Sequence, residues 1–239
     1  MNIPAEFDEI RPYTPEELPQ IFDELLADPA FQAVISLIMP GMPLDMLSHK
    51  LHQCKNNLEV QKTIFYPLLH QIIKEHSDGF TLNASSLTDK EKNYTFISNH
   101  RDIVLDPGFL SLGLLDNHFP TTVEIAIGDN LLIYPWIKKL VRVNKSFIVQ
   151  RALSMRQMLL SSARMSRYIH FAITQKKENV WIAQREGRAK DSNDRTQESV
   201  LKMLALGSTG DTIDYLKELN IVPTSLSYEY DPCDFLKAK

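Results

Sequence analysis

The chain has 239 residues, 44% of them hydrophobic and 23% charged, an ordinary globular composition that can bury one large domain or one domain with an appendage. Its formal net charge of -4 at pH 7 conceals an uneven distribution of charge along the chain. The two cysteines, Cys54 and Cys233, fit no metal-ligand or disulfide-framework spacing, which indicates a reducing compartment and no structural zinc.

The first third of the sequence predicts an N-terminal helical region, which we place at residues 1–88. The segment "TPEELPQIFDELLADPAFQAVISLIM" opens with a cap-like stretch, and "NNLEVQKTIFYPLLHQIIKEHSDG" ends at a glycine after lysine and histidine. Because these segments contain Pro19, Pro29 and Pro67, they favour several short helices over two long ones.

The same region predicts neither a membrane span nor a secretory signal peptide. The longest apolar run, "FQAVISLIMPGMPLDML", is interrupted by Pro40, Gly41, Pro43 and Asp45, whereas a span needs about 20 predominantly apolar residues. The first residues, "MNIPAEFDEIRPYTPEELP", are acidic and proline-rich rather than basic and then apolar. Contact with a membrane surface stays open.

From Tyr94 onward, strand and helix patterns alternate. The strand candidates are "YTFISN", "TTVEIAIGD", "SFIVQ", "NVWIAQ" and "NIVPTSLSYE"; the helix candidates are "DPGFLSLGLLDNHF", "LLIYPWIKKLVRV", "LSMRQMLLSSARMSRYIHFAITQ", "SVLKMLALGSTG" and "TIDYLKEL". This alternation predicts an α/β domain over residues 89–239, with a central, mostly parallel sheet flanked by helices. Functional residues in such folds cluster beyond the carboxyl ends of the strands. The final "DPCDFLKAK" carries no stop signal, which leaves open a further segment beyond residue 239.

Acidic and basic residues concentrate in different parts of the chain. Residues 1–50 hold nine Asp or Glu against Arg11 and Lys50, whereas residues 138–195 hold fourteen Lys or Arg against four Asp or Glu. Such a basic field attracts phosphate on a small substrate, a carrier, a lipid surface or a nucleic acid, although solvated helix faces are the alternative. A nucleic acid is not expected, because no stacking or helix-turn-helix pattern accompanies the charge.

Four short blocks lie at the ends of the predicted strands. They are "SNHRDIVLDP", "SFIVQR", "IAQREGRAKD" and "NIVPTSLSYEY". In this order they resemble the glycerolipid acyltransferase family, which has a His-x-x-x-x-Asp block, a strand ending in a phosphate-contacting arginine, a Glu-Gly-(Thr or Gly)-Arg block and an apolar-Val-Pro block. The first block departs from that pattern because position 105 is Leu and the aspartate is Asp106. The third block has no residue between Gly187 and Arg188.

The first block carries a candidate acid/base pair. Acyl transfer to an alcohol requires removal of the hydroxyl proton, and a histidine near neutral pH suits this task. The resemblance assigns His100 as the general base, and an aspartate on its other ring nitrogen would fix the tautomer. Both Asp102 and Asp106 are candidates. Asp106 matches the family's aspartate and precedes Pro107, so we expect it to orient His100 and cap the following helix, with Asp102 facing solvent or substrate.

Binding an acceptor phosphate requires planar, bidentate donors, which arginine supplies better than lysine. The resemblance assigns this role to Arg151 and Arg188, for which the alternative is an exposed surface arginine. Gly187 would let the backbone approach the reacting centre, and Glu186 would position the acceptor or pair with an arginine. The weaker candidates for phosphate contact are Arg101, Lys145, Arg185 and Lys190.

The acyl chain and the membrane require apolar surfaces. The resemblance implies that Val222 and Pro223 line the acyl site, with ordinary core positions as the alternative. The segment "LLIYPWIKKLVRV" mixes aromatic and basic residues, which is typical of an interfacial helix, although a core helix with one basic edge fits equally. Backbone N–H groups after the strands are the expected oxyanion donors. No metal site is expected, because no His, Asp or Glu cluster has ligand spacing.

The resemblance therefore implies a cytoplasmic acyltransferase, peripheral at the inner face of the membrane. It would move a fatty acyl group from acyl-CoA or acyl carrier protein to glycerol 3-phosphate or to the lysophospholipid 1-acylglycerol 3-phosphate, with no other cofactor. One alternative is the same chemistry on a non-phosphate acceptor such as an amino-acid lipid. Another is a lipid- or carrier-binding module without catalysis, which the shifted aspartate and the shortened third block suggest.

Overall fold

The computed structural model describes residues 2–151, 154–191 and 193–238. Its strands are β1 (Thr95–Ser98), β2 (Val123–Gly128), β3 (Ser146–Val149), β4 (Asn179–Ala183) and β5 (Ile221–Thr224). Its α-helices are α1 (Leu18–Leu26), α2 (Pro29–Ile38), α3 (Leu44–Gln53), α4 (Asn57–Val60), α5 (Tyr66–His76), α6 (Leu105–Asp116), α7 (Pro135–Val143), α8 (Met155–Phe171), α9 (Glu198–Ala205), α10 (Thr212–Glu218) and α11 (Asp234–Ala238).

The chain divides into two compact units. The sheet unit comprises Met1–Glu9, Thr81–Ala126 and Val149–Lys239, and the helical unit comprises Ile10–Phe80 and Ile127–Ile148. The domain division that the sequence suggested, 1–88 and 89–239, is linear, whereas these units interleave along the chain.

Prolines lie at the start of several helices of the helical unit. α2 starts at Pro29 and α1 carries Pro19 in its first turn, where the missing N–H has no helical partner to lose. Pro67 lies in the first turn of α5, which continues directly from a π-helical segment over Gln61–Phe65. The Asp28 side chain accepts hydrogen bonds from two backbone N–H groups of α2, at 2.9 and 3.2 Å. The prediction of several short helices is confirmed. No helix within the described ranges is long and apolar enough to cross a bilayer.

The apolar faces of these helices form a core of their own. Its buried members are Leu18, Phe22, Leu25, Phe31, Leu47, Leu51, Cys54, Val60, Ile64 and Val143. The helix that the sequence suggested as interfacial, α7, contributes to this core through Val143 and the partly buried Trp136. Its Arg142 is buried, and its Lys139 pairs with Glu24 at 2.8 Å. Most of α7 is therefore a core helix with one charged edge.

The five strands form an all-parallel sheet flanked by helices, in the order β3-β2-β4-β1-β5. The predicted fold class is confirmed. The register places Ser98, the last residue of β1, opposite Ala183 of β4 and Thr224 of β5. The loops that follow these three strands therefore leave the sheet at the same edge.

The sheet unit has an apolar core of its own. Its buried residues are Tyr94, Phe96, Leu110, Leu114, Phe119, Val123, Ile125 and Trp181.

The sheet unit also buries a carboxylate. Glu124 of β2 is fully buried and accepts hydrogen bonds from Tyr168 Oη at 2.5 Å and from Lys176 Nζ. A buried carboxylate of this kind requires such partners, because its desolvation would otherwise cost several kcal/mol.

Candidate active site

Three loops converge at the carboxyl edge of the sheet, and the loop after β1 lies between the others. The backbone carbonyl of His100 accepts a hydrogen bond from Ala189 N, in the loop after β4, at 2.8 Å. The backbone N–H of His100 donates to Asp194 Oδ2 at 2.8 Å. On the other side, the Asn99 side chain bonds both to the carbonyl and to the N–H of Leu226, in the loop after β5, at 2.8 and 2.7 Å. The backbone of His100 is therefore held by the loop after β4, and the side chain of its neighbour Asn99 is held by the loop after β5.

The His100 ring lies against Asp106. Its Nδ1 is 3.0 Å from Asp106 Oδ2, and the side chains are 11% and 0% exposed. Because a carboxylate is an acceptor, Nδ1 is the donor in this contact. The edge of the ring also contacts buried Trp181, with centroids 5.7 Å apart and planes at 69°. The imidazole is therefore held on its Nδ1 side and at its ring edge.

Asp106 is surrounded by donors. Its Oδ2 also accepts from the backbone N–H groups of Arg101 at 2.7 Å and Asp102 at 3.0 Å, and its Oδ1 accepts from Tyr228 Oη at 2.9 Å. With His100 Nδ1, four hydrogen-bond donors therefore face the two oxygens of this buried carboxylate.

Asp102 does not face solvent, because it is buried at 7% exposure. The alternative, that it faces the substrate, stays a prediction. Its Oδ1 accepts from Val104 N and Leu105 N at 2.8 and 2.9 Å. These bonds form the turn that leads into α6. The cap residue of α6 is Val104, without a capping side-chain hydrogen bond, and Asp106 lies inside the helix, so the expected capping by Asp106 is not observed.

The two arginines expected to bind phosphate each lie near a carboxylate. Arg151 Nη1 is 2.5 Å from Glu186 Oε1, and Arg188 Nη1 is 3.8 Å from Asp102 Oδ2. Both side chains stay about one third exposed, at 33% and 38%. Gly187, which separates Glu186 from Arg188 in the sequence, has φ +71°, the left-handed region that glycine adopts without steric cost. In the third block, Glu186 therefore precedes a turn at glycine and Arg188 follows it.

The Arg101 guanidinium is held by an aspartate and by a backbone carbonyl. Its Nε donates to Asp231 Oδ1 at 2.8 Å and its Nη1 donates to the Asp191 carbonyl at 2.8 Å. Lys237, whose side chain is 6% exposed, donates to the other Asp231 oxygen at 2.6 Å and to the Arg101 carbonyl at 2.7 Å. Burial raises the pKa of Asp231, but the hydrogen bonds from Lys237 and Arg101 outweigh it and hold that pKa below its ordinary value.

Five candidates from the sequence remain, two apolar and three basic. Val222 packs against the core of the sheet unit, and Pro223 is exposed on the edge strand β5, where a residue without an N–H is tolerated. Arg185 Nη1 donates to the Asn193 carbonyl at 3.0 Å, Lys190 is exposed, and Lys145 belongs to the helical unit and is buried.

A polar cleft of about 630 Å³ opens at the same edge of the sheet unit. It is lined by Asn99 and Arg101 after β1, by Gln184 and Asp194, and by residues 224–229 and Asp231 at and after the end of β5. Within the described part of the chain, no group of three or more His, Cys, Asp or Glu side chains has the geometry of a metal site.

Sequence reasoning missed Asn99, Asp194, Tyr228, Asp231 and Lys237. Asn99 and Tyr228 lie inside blocks that the sequence singled out, and both follow strands of a predicted parallel sheet, so their placement was a usable signal. Asp194, Asp231 and Lys237 have no local pattern, because their partners are far away in sequence.

The parallel sheet with flanking helices and polar loops at its carboxyl edge defines an α/β protein whose candidate site has the composition of an enzyme active site. The family model described as Acyltransferase matches residues 70–210, more than half of the chain. The chain therefore belongs to the acyltransferase family and is an acyltransferase enzyme. The match includes the first three sequence blocks but not the fourth. No curated protein matches the chain.

Proposed function

We propose that the enzyme transfers a fatty acyl group from the thioester of coenzyme A or acyl carrier protein to a hydroxyl of glycerol 3-phosphate or 1-acylglycerol 3-phosphate, in phospholipid synthesis. The observation that carries the proposal is the contact of 3.0 Å between His100 Nδ1 and the fully buried Asp106 carboxylate. It leaves Nε2 of a neutral imidazole available for a substrate hydroxyl.

In this reaction His100 acts as general base and then as general acid. Nε2 takes the proton from the acceptor hydroxyl as its oxygen attacks the thioester carbonyl carbon. Asp106 stabilises the imidazolium that forms without taking its proton. When the tetrahedral intermediate collapses, the carbon–sulfur bond breaks, the ester remains, and the proton on Nε2 passes to the departing thiolate. Backbone N–H groups of the strand-end loops are the proposed donors to the oxyanion.

Arg151 and Arg188 are the proposed phosphate ligands. Each guanidinium is partly exposed and lies near a carboxylate, with Glu186 at 2.5 Å from Arg151 and Asp102 at 3.8 Å from Arg188. An acceptor phosphate would compete with Glu186 for Arg151 and would find Arg188 more weakly held, since 3.8 Å exceeds hydrogen-bond distance. Arg101 is a weaker candidate, because phosphate binding would require it to leave Asp231.

The proposed location is the cytoplasmic face of a membrane. Acylation of glycerol 3-phosphate gives a lipid, and 1-acylglycerol 3-phosphate is itself a lipid. The proposed reaction therefore favours contact with a membrane surface. Within the sheet unit, the first turns of α8 expose Met155, Met158, Leu159 and Leu160 next to the exposed Arg156. Apolar side chains beside a cation suit an anionic lipid surface.

The test is an acyl-transfer assay with acyl-CoA and acyl-ACP as donors and both phosphorylated acceptors. His100→Ala should lower kcat by at least about 10³-fold, because the base is lost, while His49→Ala, at an exposed position on α3, should leave it unchanged. Transfer that persists in His100→Ala would contradict the proposal. A wild-type protein that binds lipid or carrier without any transfer would favour the non-catalytic module.

The acceptor class needs its own comparison. With phosphorylated acceptors, Arg188→Ala and Arg151→Ala should raise KM by about tenfold or more, whereas Arg195→Ala, an exposed arginine outside the cluster, should not. Unchanged kinetics in both variants with phosphorylated acceptors, together with transfer to an amino-acid lipid, would favour the non-phosphate acceptor.

A further inference from the structure

The two oxygens of the Asp106 carboxylate have different partners. Oδ2 accepts from His100 Nδ1 and from the backbone N–H groups of Arg101 and Asp102. Oδ1 accepts from Tyr228 Oη, at 2.9 Å, from a residue 122 positions later in the chain. The three donors on Oδ2 already restrict rotation of the carboxylate about its Cβ–Cγ bond, and a donor on Oδ1 restricts it further.

Tyr228 is itself held in place by the residues around His100. The loop that presents it is fixed to Asn99, the residue before His100, through two hydrogen bonds with Leu226 at 2.8 and 2.7 Å. Its ring contacts the ring of Phe109, one turn after Asp106 on α6, with centroids 6.3 Å apart and planes at 41°. The phenol is therefore positioned from the strand end and from the helix at once.

The phenol is a donor under all working conditions. Burial, and after it the adjacent Asp106 carboxylate, raise the pKa of Tyr228 well above its ordinary value. The hydroxyl keeps its proton, and a carboxylate can only accept from it.

We propose that Tyr228 is a positioning residue for acyl transfer, which orients the Asp106 carboxylate through Oδ1 and thereby fixes the tautomer and orientation of His100. This inference rests on the proposed role of His100 as general base. The Tyr228 hydroxyl also draws negative charge away from the carboxylate, so the imidazolium is held less tightly than it would be by an unassisted Asp106. The pH at which His100 becomes available as a base therefore depends on Tyr228.

The variant that tests this is Tyr228→Phe, which keeps the ring and its contact with Phe109. We expect kcat to fall about tenfold with KM unchanged, the effect of losing one hydrogen bond to a charged group. We expect the acidic limb of the kcat/KM profile to move up by roughly half a pH unit, because the imidazolium gains stability. Tyr230→Phe, two residues later and 79% exposed, is the matched control and should match the wild type.

Two further measurements separate this inference from the proposed function. In the Asp106→Asn background, Tyr228→Phe should lower kcat little further, because both changes act on the same hydrogen bond between Tyr228 and Asp106. Additive losses of kcat would overturn the inference. Titration of ¹⁵N-labelled His100 by NMR reads the imidazole without any substrate, and its midpoint should rise in Tyr228→Phe. An unchanged midpoint and kcat, or a raised KM with unchanged kcat, would overturn the positioning role, even where His100→Ala abolishes transfer. If the proposed function is wrong, acyl transfer will instead persist at the wild-type rate in His100→Ala.

Discussion

The extra residue between His100 and Asp106 is absorbed by the turn that it forms. The chain curls over the carboxylate, so that the successive N–H groups of Arg101 and Asp102 both point to Asp106 Oδ2, at 2.7 and 3.0 Å. Asp102 closes this turn by accepting from two later N–H groups. Successive backbone N–H groups of this kind form a concave anion site. The longer spacing therefore preserves a contact between the imidazole and the carboxylate.

The two aspartates should differ sharply when each is changed to asparagine. In Asp106→Asn the amide can present an N–H to His100 Nδ1, which favours the wrong tautomer, and we expect kcat to fall by about 10³-fold or more. In Asp102→Asn the amide oxygen can still accept from the N–H groups of Val104 and Leu105, so the expected loss is less than about tenfold.

Steady-state kinetics of the two variants, with folding checked by circular dichroism, make this comparison. A larger loss in Asp102→Asn than in Asp106→Asn would show that the contact in the structure is not the productive one. The losses of kcat should differ because both aspartates are buried, but Asp106 is the one in contact with the His100 ring.

At the scale of elements, the segment after β5 is tied to the site by charge. Arg101, Asp231 and Lys237 form a paired cluster that joins the loop after β1 to α11. Burial opposes ionisation of Asp231, yet the donors from Lys237 and Arg101 leave its pKa lowered. A group whose pKa is lower in the folded state stabilises that state above its unfolded pKa, about 3.9 for an aspartate, and loses the effect as the pH falls through its folded pKa.

Asp231→Asn should therefore loosen the C-terminal segment at pH 7. The variant leaves Lys237, which is nearly buried, and Arg101 without their carboxylate, so amide hydrogen exchange should speed up over residues 225–238 while the core of the sheet unit stays protected. Glu229→Gln, an exposed carboxylate of the same loop, is the control. Equal exchange in Asp231→Asn and wild type would contradict this account, and so would a uniform acceleration across the whole sheet unit.

The same elements show which features a sequence can predict. Strands and helices after Tyr94 were recognisable because alternation, β-branched runs and turn residues are local properties. The strand ends were therefore predicted, and the candidates His100, Gly187 and Arg188 lie in the loops after β1 and β4. The ion pair of Arg101 was not, because Asp231 lies 130 residues away and only the register of β1 against β5 brings the two loops together. Asp106 was favoured over Asp102 by its match to the family's aspartate, and its contact with the His100 ring agrees with that choice. The burial of Asp102, in contrast, depends on the path of the turn.

At the scale of the whole chain, part of the basic field is neutralised within each unit. In the sheet unit, Arg164 pairs with Glu9 at 3.1 Å and Arg167 with Glu6 at 2.6 Å. In the helical unit, Lys139 pairs with Glu24 at 2.8 Å. The acidic N-terminal residues and the basic residues after 138 are thus partners in part, although far apart in sequence. Phosphate attraction should consequently depend on fewer Lys and Arg side chains than residues 138–195 contain.

The proposed membrane contact makes a prediction about one surface of the sheet unit, the first turns of α8. Met155, Met158 and Leu159 recur at helical spacing and are 83%, 50% and 58% exposed, beside Arg156. The wild type should cosediment with vesicles that contain phosphatidylglycerol more strongly than with neutral ones, and added salt should remove only the electrostatic part. Leu159→Glu should weaken binding by about tenfold, since it removes buried apolar area and adds repulsion.

Ile213→Glu is the matched control for that experiment, because it places the same charge at another exposed apolar position, 61% exposed, on α10. If binding were a general response to added negative charge, both variants would lose it equally. If α8 inserts, Leu159→Glu alone should lose most of its affinity, and its transfer rate should fall with acceptors held in vesicles but not with soluble glycerol 3-phosphate. An equal rate loss on both kinds of acceptor would place the defect in the active site instead of at the membrane.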